Sequence, residues 1–271
     1  MKKKLILTAS ILCGVIVLLV ILSFTLFGLK EISFDLRTYG SLFTSEQTQA
    51  SVINSGKFKM NRPVFFQNKQ AYIDNMEKAN PYLKIINIET VFPNKFIIRC
   101  VDREELFAIK VSDQKYFIVD EDFKVLNVAT TFDNNQTNAI LLSGEFSILN
   151  TNAGLGDFLT LSAGQGLLES FVSTMKANNR VVSEQKALFK SVNLKFGVVP
   201  EPYEVNVPML EFTDFLDFKM TIIKANDDFT RKVNCLLSAH AEVPDSDKSS
   251  YELEVYKNSE GEIFCLQMQI A

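Results

Sequence analysis

Residues Leu5–Leu29, LILTASILCGVIVLLVILSFTLFGL, run for 25 positions without a charged side chain. Lys2, Lys3 and Lys4 precede the stretch, and Lys30 and Glu31 follow it. A bilayer core of about 30 Å takes about 20 apolar residues at helical rise, so the run is long enough to span with some tilt. In hydrocarbon a continuous helix satisfies its own backbone groups, and Gly14 and Gly28 do not prevent one. A cleaved signal has an apolar core of only about 7–15 residues followed by a small-x-small site. The residues after this run, Phe27, Gly28, Leu29 and Lys30, offer no such site, and Leu12 is too bulky to make Cys13 a lipidation site. The reading is an uncleaved anchor. The three lysines hold residues 1–4 on the cytoplasmic side, so residues 30–271 are expected to be translocated.

With the three tail lysines set aside, 25 basic residues face 32 acidic ones, a net charge near −7 for the exported part. That argues against nucleic-acid binding, or binding to anionic lipid, by bulk electrostatics, and leaves a local basic patch open. About 240 residues suffice for one large or two ordinary domains. The chain has 23 Phe and no Trp, and its Phe, Ile and Val content suits strands. Cys100, Cys235 and Cys265 are odd in number, at unrelated spacings and without a C-x-x-C, so they read as buried thiols rather than a zinc or redox site. A Cys100–Cys265 or a Cys235–Cys265 bridge stays open.

Ile32–Leu36 alternates as a first strand. Thr44-Ser45-Glu46-Gln47 reads as a capping box opening a helix that Gly56 closes. Asn68 caps a second helix, with Tyr72, Ile73, Met76 and Ala79 at helical spacing, and Asn80-Pro81 stops it. From Tyr82 the period becomes two. Ile86, Ile88 and Thr90 are expected on one face, a turn at 92–95 follows, and Phe96, Ile98 and Cys100 alternate on the returning strand. Residues 32–109 thus read β-α-α-β-β, with both helices on one side of a three-stranded sheet.

The segment NPYLKIINIETVFPNKFIIRCVDREELFAI, Asn80–Ile109, resembles the end of a POTRA domain, and closely that of the FtsQ/DivIB bacterial cell-division proteins. Tyr116–Asp122, YFIVDED, is similar to the hairpin that opens that family's second domain. Glu105 stands where a proline is usual, and Phe123 where the turn glycine is usual. The resemblance implies an α+β chain: a cytoplasmic tail (1–4), a transmembrane helix (5–29), a POTRA domain (30–109) and a mixed, β-rich domain with short helices (110–271). It implies a single-pass protein of the cell membrane, at the division septum.

Beyond residue 128 the expected elements are a strand at Ala139–Leu142, a loose stretch at Gly154–Gly166, and a helix over Leu167–Lys176 with Leu168, Phe171, Val172 and Met175 on one face. Strands follow at Val192–Val199, Tyr203–Val207 and Leu216–Ile223. Asp227-Asp228-Phe229 starts a helix through Leu237, with its acids at the positive end of the dipole. Tyr251–Tyr256 and Ile263–Ile270 close the chain as a hairpin.

A catalytic constellation is not offered. The single histidine, His240, is expected in a solvated loop after that helix, and there is no H-E-x-x-H. Asp214 and Asp217 lie in a strand-prone run, Asp227 and Asp228 at a helix start, and Asp120, Glu121 and Asp122 in a solvated turn. The glycines at 154, 156, 164 and 166 lack phosphate-loop spacing. No catalytic residue, cofactor, metal ligand or small-molecule substrate is named. What remains is binding surface. A terminal strand at a sheet edge carries unpaired backbone groups that accept a partner strand. Tyr251, Leu253 and Val255 fall on one face, and Glu252, Glu254 and Tyr256 on the other. The resemblance implies FtsB/DivIC-like and FtsL-like partners here, and position from the C-terminus matches Tyr251, Glu252, Glu254, Tyr256, Ile263, Phe264 and Leu266 to that site. The expected function is a non-catalytic membrane scaffold of the division complex. The alternatives are a POTRA-bearing secretion or membrane-assembly component, and a membrane-anchored cell-wall hydrolase.

Overall fold

The computed structural model describes residues 2–35, 46–133, 139–150, 152–178, 180–200 and 203–270, with backbone alone for 2–10, 46, 200 and 203. The chain divides into two compact units, Met1–Arg103 and Glu104–Ala271. The sequence reading puts a boundary after Ile109; in the structure, strand Phe107–Ser112 is hydrogen-bonded within the second unit's sheet.

Helix α1 covers Lys2–Phe27. From Ile11 to Leu26 its apolar side chains are exposed all round the helix. The portion with described side chains, residues 11–27, extends about 25 Å at 1.5 Å per residue. Among the described residues no helix is long and apolar enough to cross a membrane.

In the first unit, α1 passes into β1 (Glu31–Phe34). After it come α2 (Glu46–Ser55), α3 (Lys69–Ala79), β2 (Leu83–Val91) and β3 (Lys95–Asp102). The sheet order is β1-β3-β2, with β1 parallel and β2 antiparallel to β3. The Asn68 side chain caps α3 by accepting from the Ala71 amide, and Asn80 ends it. Thr44 and Ser45 lie outside the described residues. The core joins Val52, Tyr72 and Met76 of the helices to Ile88, Phe96 and Ile98 of the sheet. Phe96, Ile98 and Cys100 point inward as their alternation predicts.

On β2 the expected face is wrong at one residue. The ladder shifts register between Ile85 and Asn87, so Ile86 is the extra residue of a bulge. Leu83, Ile85 and Ile88 are buried, and Ile86 is 56% exposed.

In the second unit the strands are β4 (Phe107–Ser112), β5 (Lys115–Val119), β6 (Val125–Ala129), β7 (Ile140–Gly144), β8 (Ser191–Pro200), β9 (Tyr203–Thr213), β10 (Lys219–Ile222), β11 (Tyr251–Lys257) and β12 (Ile263–Gln269). They form one sheet of order β12-β11-β10-β9-β8-β7-β4-β5-β6. Helices α4 (Gln165–Ala177) and α5 (Val182–Leu188) connect the parallel pair β7 and β8. Helix α6 (Phe229–Glu242) connects the parallel pair β10 and β11. Such pairs need long crossovers, which here are helical. The core gathers Leu168, Phe171 and Met175 of α4, Val233 and Leu236 of α6, and Phe212, Leu253 and Val255 of the sheet.

Two turns in this unit share one construction. In Asp120–Lys124 the Asp120 carboxylate, which is buried, accepts the amides of Asp122 (3.0 Å) and Lys124 (2.8 Å). In Asp214–Phe218 the Asp214 carboxylate accepts the amides of Leu216 (2.7 Å) and Phe218 (3.0 Å). The fourth residue of each turn, Phe123 and Asp217, has positive φ, 61° and 62°. Phe123 is thus in the conformation that glycine takes readily, and its ring lies in the core, stacked on Phe107 at 5.8 Å. The cluster at Asp120 is therefore a structural turn rather than a solvated one. The Asp214 turn also delays β10, which begins at Lys219 instead of Leu216.

Helix α6 runs past Leu237 and stops before Pro244, the residue that bars further helix. His240 is inside it, partly buried, with Nε2 at 3.0 Å from Asp214 Oδ2. That corrects the solvated-loop reading: the histidine braces the second Asp turn, to which Lys248 also reaches at 3.9 Å.

Candidate partner-binding surface

Strand β12 is the end strand of the nine-stranded sheet, and its inner neighbour β11 pairs with it antiparallel from Tyr251↔Gln269 to Lys257↔Ile263. Among the described residues no strand lies outside it, so its outer row of backbone donors and acceptors is available for another strand. Alternation then sorts the side chains. Leu253 and Val255 are buried beneath α6, and Tyr251, Ile263 and Cys265 pack against the same core. Glu252, Glu254 and Tyr256 stand on the opposite face, across from Met268, Leu266 and Phe264 respectively.

The expected residues therefore divide. Glu252, Glu254, Tyr256, Phe264 and Leu266 share the outer face, while Tyr251 and Ile263 lean toward the core. The register adds Met268 to the outer face; the period of two from Leu266 is the sequence signal for it. Phe264 is 42% exposed and Leu266 47%, and the Tyr256 and Phe264 rings stack at 5.9 Å. The face is an apolar strip bordered by two carboxylates. Burial, with Glu252 nearby, raises the Glu254 pKa above the ordinary carboxylate value. A cation brought by a partner would relieve that repulsion as well as pair with it.

The support behind the hairpin is firm. Lys257 at the end of β11 holds Asp228 at 2.8 Å and Asp227 at 3.4 Å, at the start of α6. Lys232 of α6 is fully buried, and its ammonium donates to the carbonyls of Ile223 and Lys224, both at 2.9 Å. Burial lowers its pKa. Cys265 of β12 and Cys235 of α6 are hydrogen-bonded free thiols, and burial pushes the Cys265 pKa up to about 12. Cys100 is also a free thiol.

A cavity of about 540 Å³ opens beside the hairpin, bordered by Glu254, Tyr256 and Lys257 and by Glu204, Lys224 and Lys232. Its charged groups serve one another: Lys224 holds Glu204 at 2.6 Å, as Lys257 holds the two aspartates. Among the described residues no group of three His, Cys, Asp or Glu side chains is placed to hold a metal ion.

Over 78 residues the chain is 31% identical to the cell division protein DivIB of Clostridium acetobutylicum, a match covering 29% of this chain and 30% of that protein. The chain thus spans under a third of the length of the curated relative it matches. No family model matches the chain.

Proposed function

We propose that this protein is a non-catalytic, single-pass membrane scaffold of the bacterial division machinery. Helix α1 anchors it from Leu5 to Phe27, with residues 1–4 in the cytoplasm; Leu29, expected as the last residue of the span, belongs instead to the core of the first unit. Residues 30–103 act as a POTRA domain, and residues 104–271 as a β-domain that takes partners of the FtsB/DivIC and FtsL kinds at the septum. The observation that carries this reading is the exposed edge β12 with its apolar, carboxylate-bordered outer face. The partial likeness to DivIB and the all-round apolar surface of α1 support it.

Strand addition on β12 would supply backbone hydrogen bonds. Phe264 and Leu266 would select the register, and Glu252 and Glu254, one strand further in, would select a basic side chain long enough to reach across β12. Tethering both partners in one membrane raises their effective concentration, so a modest interface is enough. No bond is made or broken; the protein holds other proteins near the site of wall synthesis.

The experiment is co-purification of the full chain with its FtsB/DivIC-like and FtsL-like partners from cells in which Phe264→Glu or Leu266→Glu replaces the native protein. Covering roughly 80 Å² of exposed apolar surface at either residue is worth about 2 kcal/mol, so each change should weaken capture more than ten-fold. Cells carrying them should grow long and undivided. Undiminished capture by both variants would remove β12 from the interface, and normal septation after depletion of the protein would overturn the division role.

A further inference from the structure

The first unit carries a second exposed apolar surface, and it sits where α1 ends. Phe27, the last residue of α1, touches Phe65 with ring centroids 5.7 Å apart and Phe92 with centroids 6.3 Å apart, and Phe65 meets Phe66 at 4.6 Å. Phe66 is 81% exposed and Phe92 66%, with Phe65 and Met60 nearly half exposed. Four aromatic rings on three separate segments, the helix end, the turn at 64–66 and the turn at 92–94, thus form one collar.

The collar is fixed rather than draped. Leu29 is fully buried; its amide donates to the Arg62 carbonyl and its carbonyl accepts from the Asn61 amide, both at 2.9 Å. The Lys30 amide donates to the Asn94 carbonyl at 2.8 Å. Gly28 permits this close approach, because a Cβ there would lie 2.4 Å from the Phe24 carbonyl oxygen and 2.9 Å from that of Asn61. Val64 anchors the aromatic turn in the core. Gln67 ties the Arg62 carbonyl at 2.9 Å to the Tyr72 hydroxyl of α3. Helix α1 therefore enters the first unit without a flexible linker. Exposed Lys30 follows the helix end, and exposed Lys57, Lys59 and Arg62 lie on the stretch that leads into the 64–66 turn.

We propose that this collar is a lipid-contact surface. Phe65, Phe66 and Phe92 enter the interfacial layer of the bilayer that α1 crosses, with Lys30, Lys59 and Arg62 at the level of the headgroup phosphates. The inference rests on the reading of α1 as a membrane span, and goes beyond it by assigning the orientation of the first unit. The partner is argued from continuity. The Phe65 and Phe92 rings are within about 6 Å of the Phe27 ring at the end of the helix, Phe66 lies against Phe65, and interfacial apolar groups enter to about 5–10 Å, so a bilayer around α1 reaches them. Basic residues beside such a wedge attract anionic headgroups. The consequence is that the first unit is seated on the membrane at a fixed attitude.

Because the chain has no tryptophan, single tryptophans report position without background. The full chain carrying Leu18→Trp, Phe66→Trp or Ile86→Trp is reconstituted in vesicles of phosphatidylcholine and phosphatidylglycerol, with bromine placed high or low on the acyl chains. Ile86 is exposed and six residues along β2 from Phe92, about 20 Å away. The expected result is deep quenching at 18, shallow quenching and blue-shifted emission at 66, and neither at 86. Quenching at 18 with none at 66 overturns the collar while leaving the span intact. No quenching at 18 overturns the span and the collar together. Emission at 66 that shifts only when a partner protein is added would make the collar a protein contact and overturn the proposal.

Discussion

Phe123 offers a test in which two effects of known sign compete. Its ring is fully buried in the second unit's core and stacked on Phe107, yet its backbone has φ of 61°. Removing a buried Phe side chain to Ala costs about 3–5 kcal/mol. An L-residue held in the left-handed region costs about 1–2 kcal/mol, and alanine retains that cost while glycine does not. Glycine loses more chain entropy on folding, but where φ is positive the balance favours glycine over alanine by about 0.5–1 kcal/mol. The expected order of stability is therefore Phe123, then Phe123→Gly, then Phe123→Ala, with alanine about 4 kcal/mol below the wild type. At a position of ordinary φ the two variants would exchange places. Urea denaturation of the full chain in detergent, followed by circular dichroism, measures the order. Alanine above glycine, or a loss below about 1 kcal/mol for either, would refute the strained-turn account and the view that burial outweighs strain.

Glu254→Gln should stabilise the fold at pH 7. Burial raises this carboxyl's folded pKa above its unfolded value, so the stability associated with its neutral form is present below the unfolded pKa and lost as pH rises through the folded one. The advantage of glutamine should fade as pH falls toward 4, and a pH-independent difference in melting temperature would contradict this. Cys100 and Cys265 have pKa values pushed to about 11 and about 12, so at pH 8 their thiolates are about a hundred-fold or more scarcer than that of an ordinary cysteine. Iodoacetamide should modify them correspondingly slowly in the native chain and at ordinary rates in urea; equal rates would refute the burial. Lys232→Met should destabilise by about 1–3 kcal/mol, because it removes the ammonium donor from the Ile223 carbonyl and leaves the Lys224 carbonyl with the Asp227 amide alone. Unchanged urea stability would count against that role.

Elements built on one local rule were legible in the chain. The inward set Phe96, Ile98 and Cys100 follows from a period of two, and Leu168, Phe171, Val172 and Met175 from a helical period. Asn68 is a cap because its short side chain reaches the Ala71 amide. The misses come from contacts that periodicity does not encode. At Ile86 the bulge inserts one residue, and the face reverses for the positions before it. Strand β9 runs through Pro208, a residue that argues against a central strand. It is accepted because the Pro208 carbonyl takes the Ala225 amide, so the proline nitrogen faces the side where β10 has already ended. Helix α5 is short and polar, with Gln185 and Lys186 buried, and no apolar stripe announces it. His240 looks like a loop residue until Pro244, rather than Leu237, is taken as the stop of α6. On the partner surface the alternation of β11 already set Tyr251 beside Leu253 and Val255, and a period of two sets Ile263 beside Cys265; which of the two faces is covered depends on α6 lying over it.

The central claim is that β12 receives a partner strand. Hydrogen–deuterium exchange of the full chain in lipid nanodiscs, with and without the FtsB/DivIC-like and FtsL-like proteins, tests it at the backbone itself. The account predicts that peptides covering residues 263–270 gain protection on binding, because their outward amides become hydrogen-bonded, while β5 and β6 exchange as before. Binding that leaves residues 263–270 unprotected would contradict it.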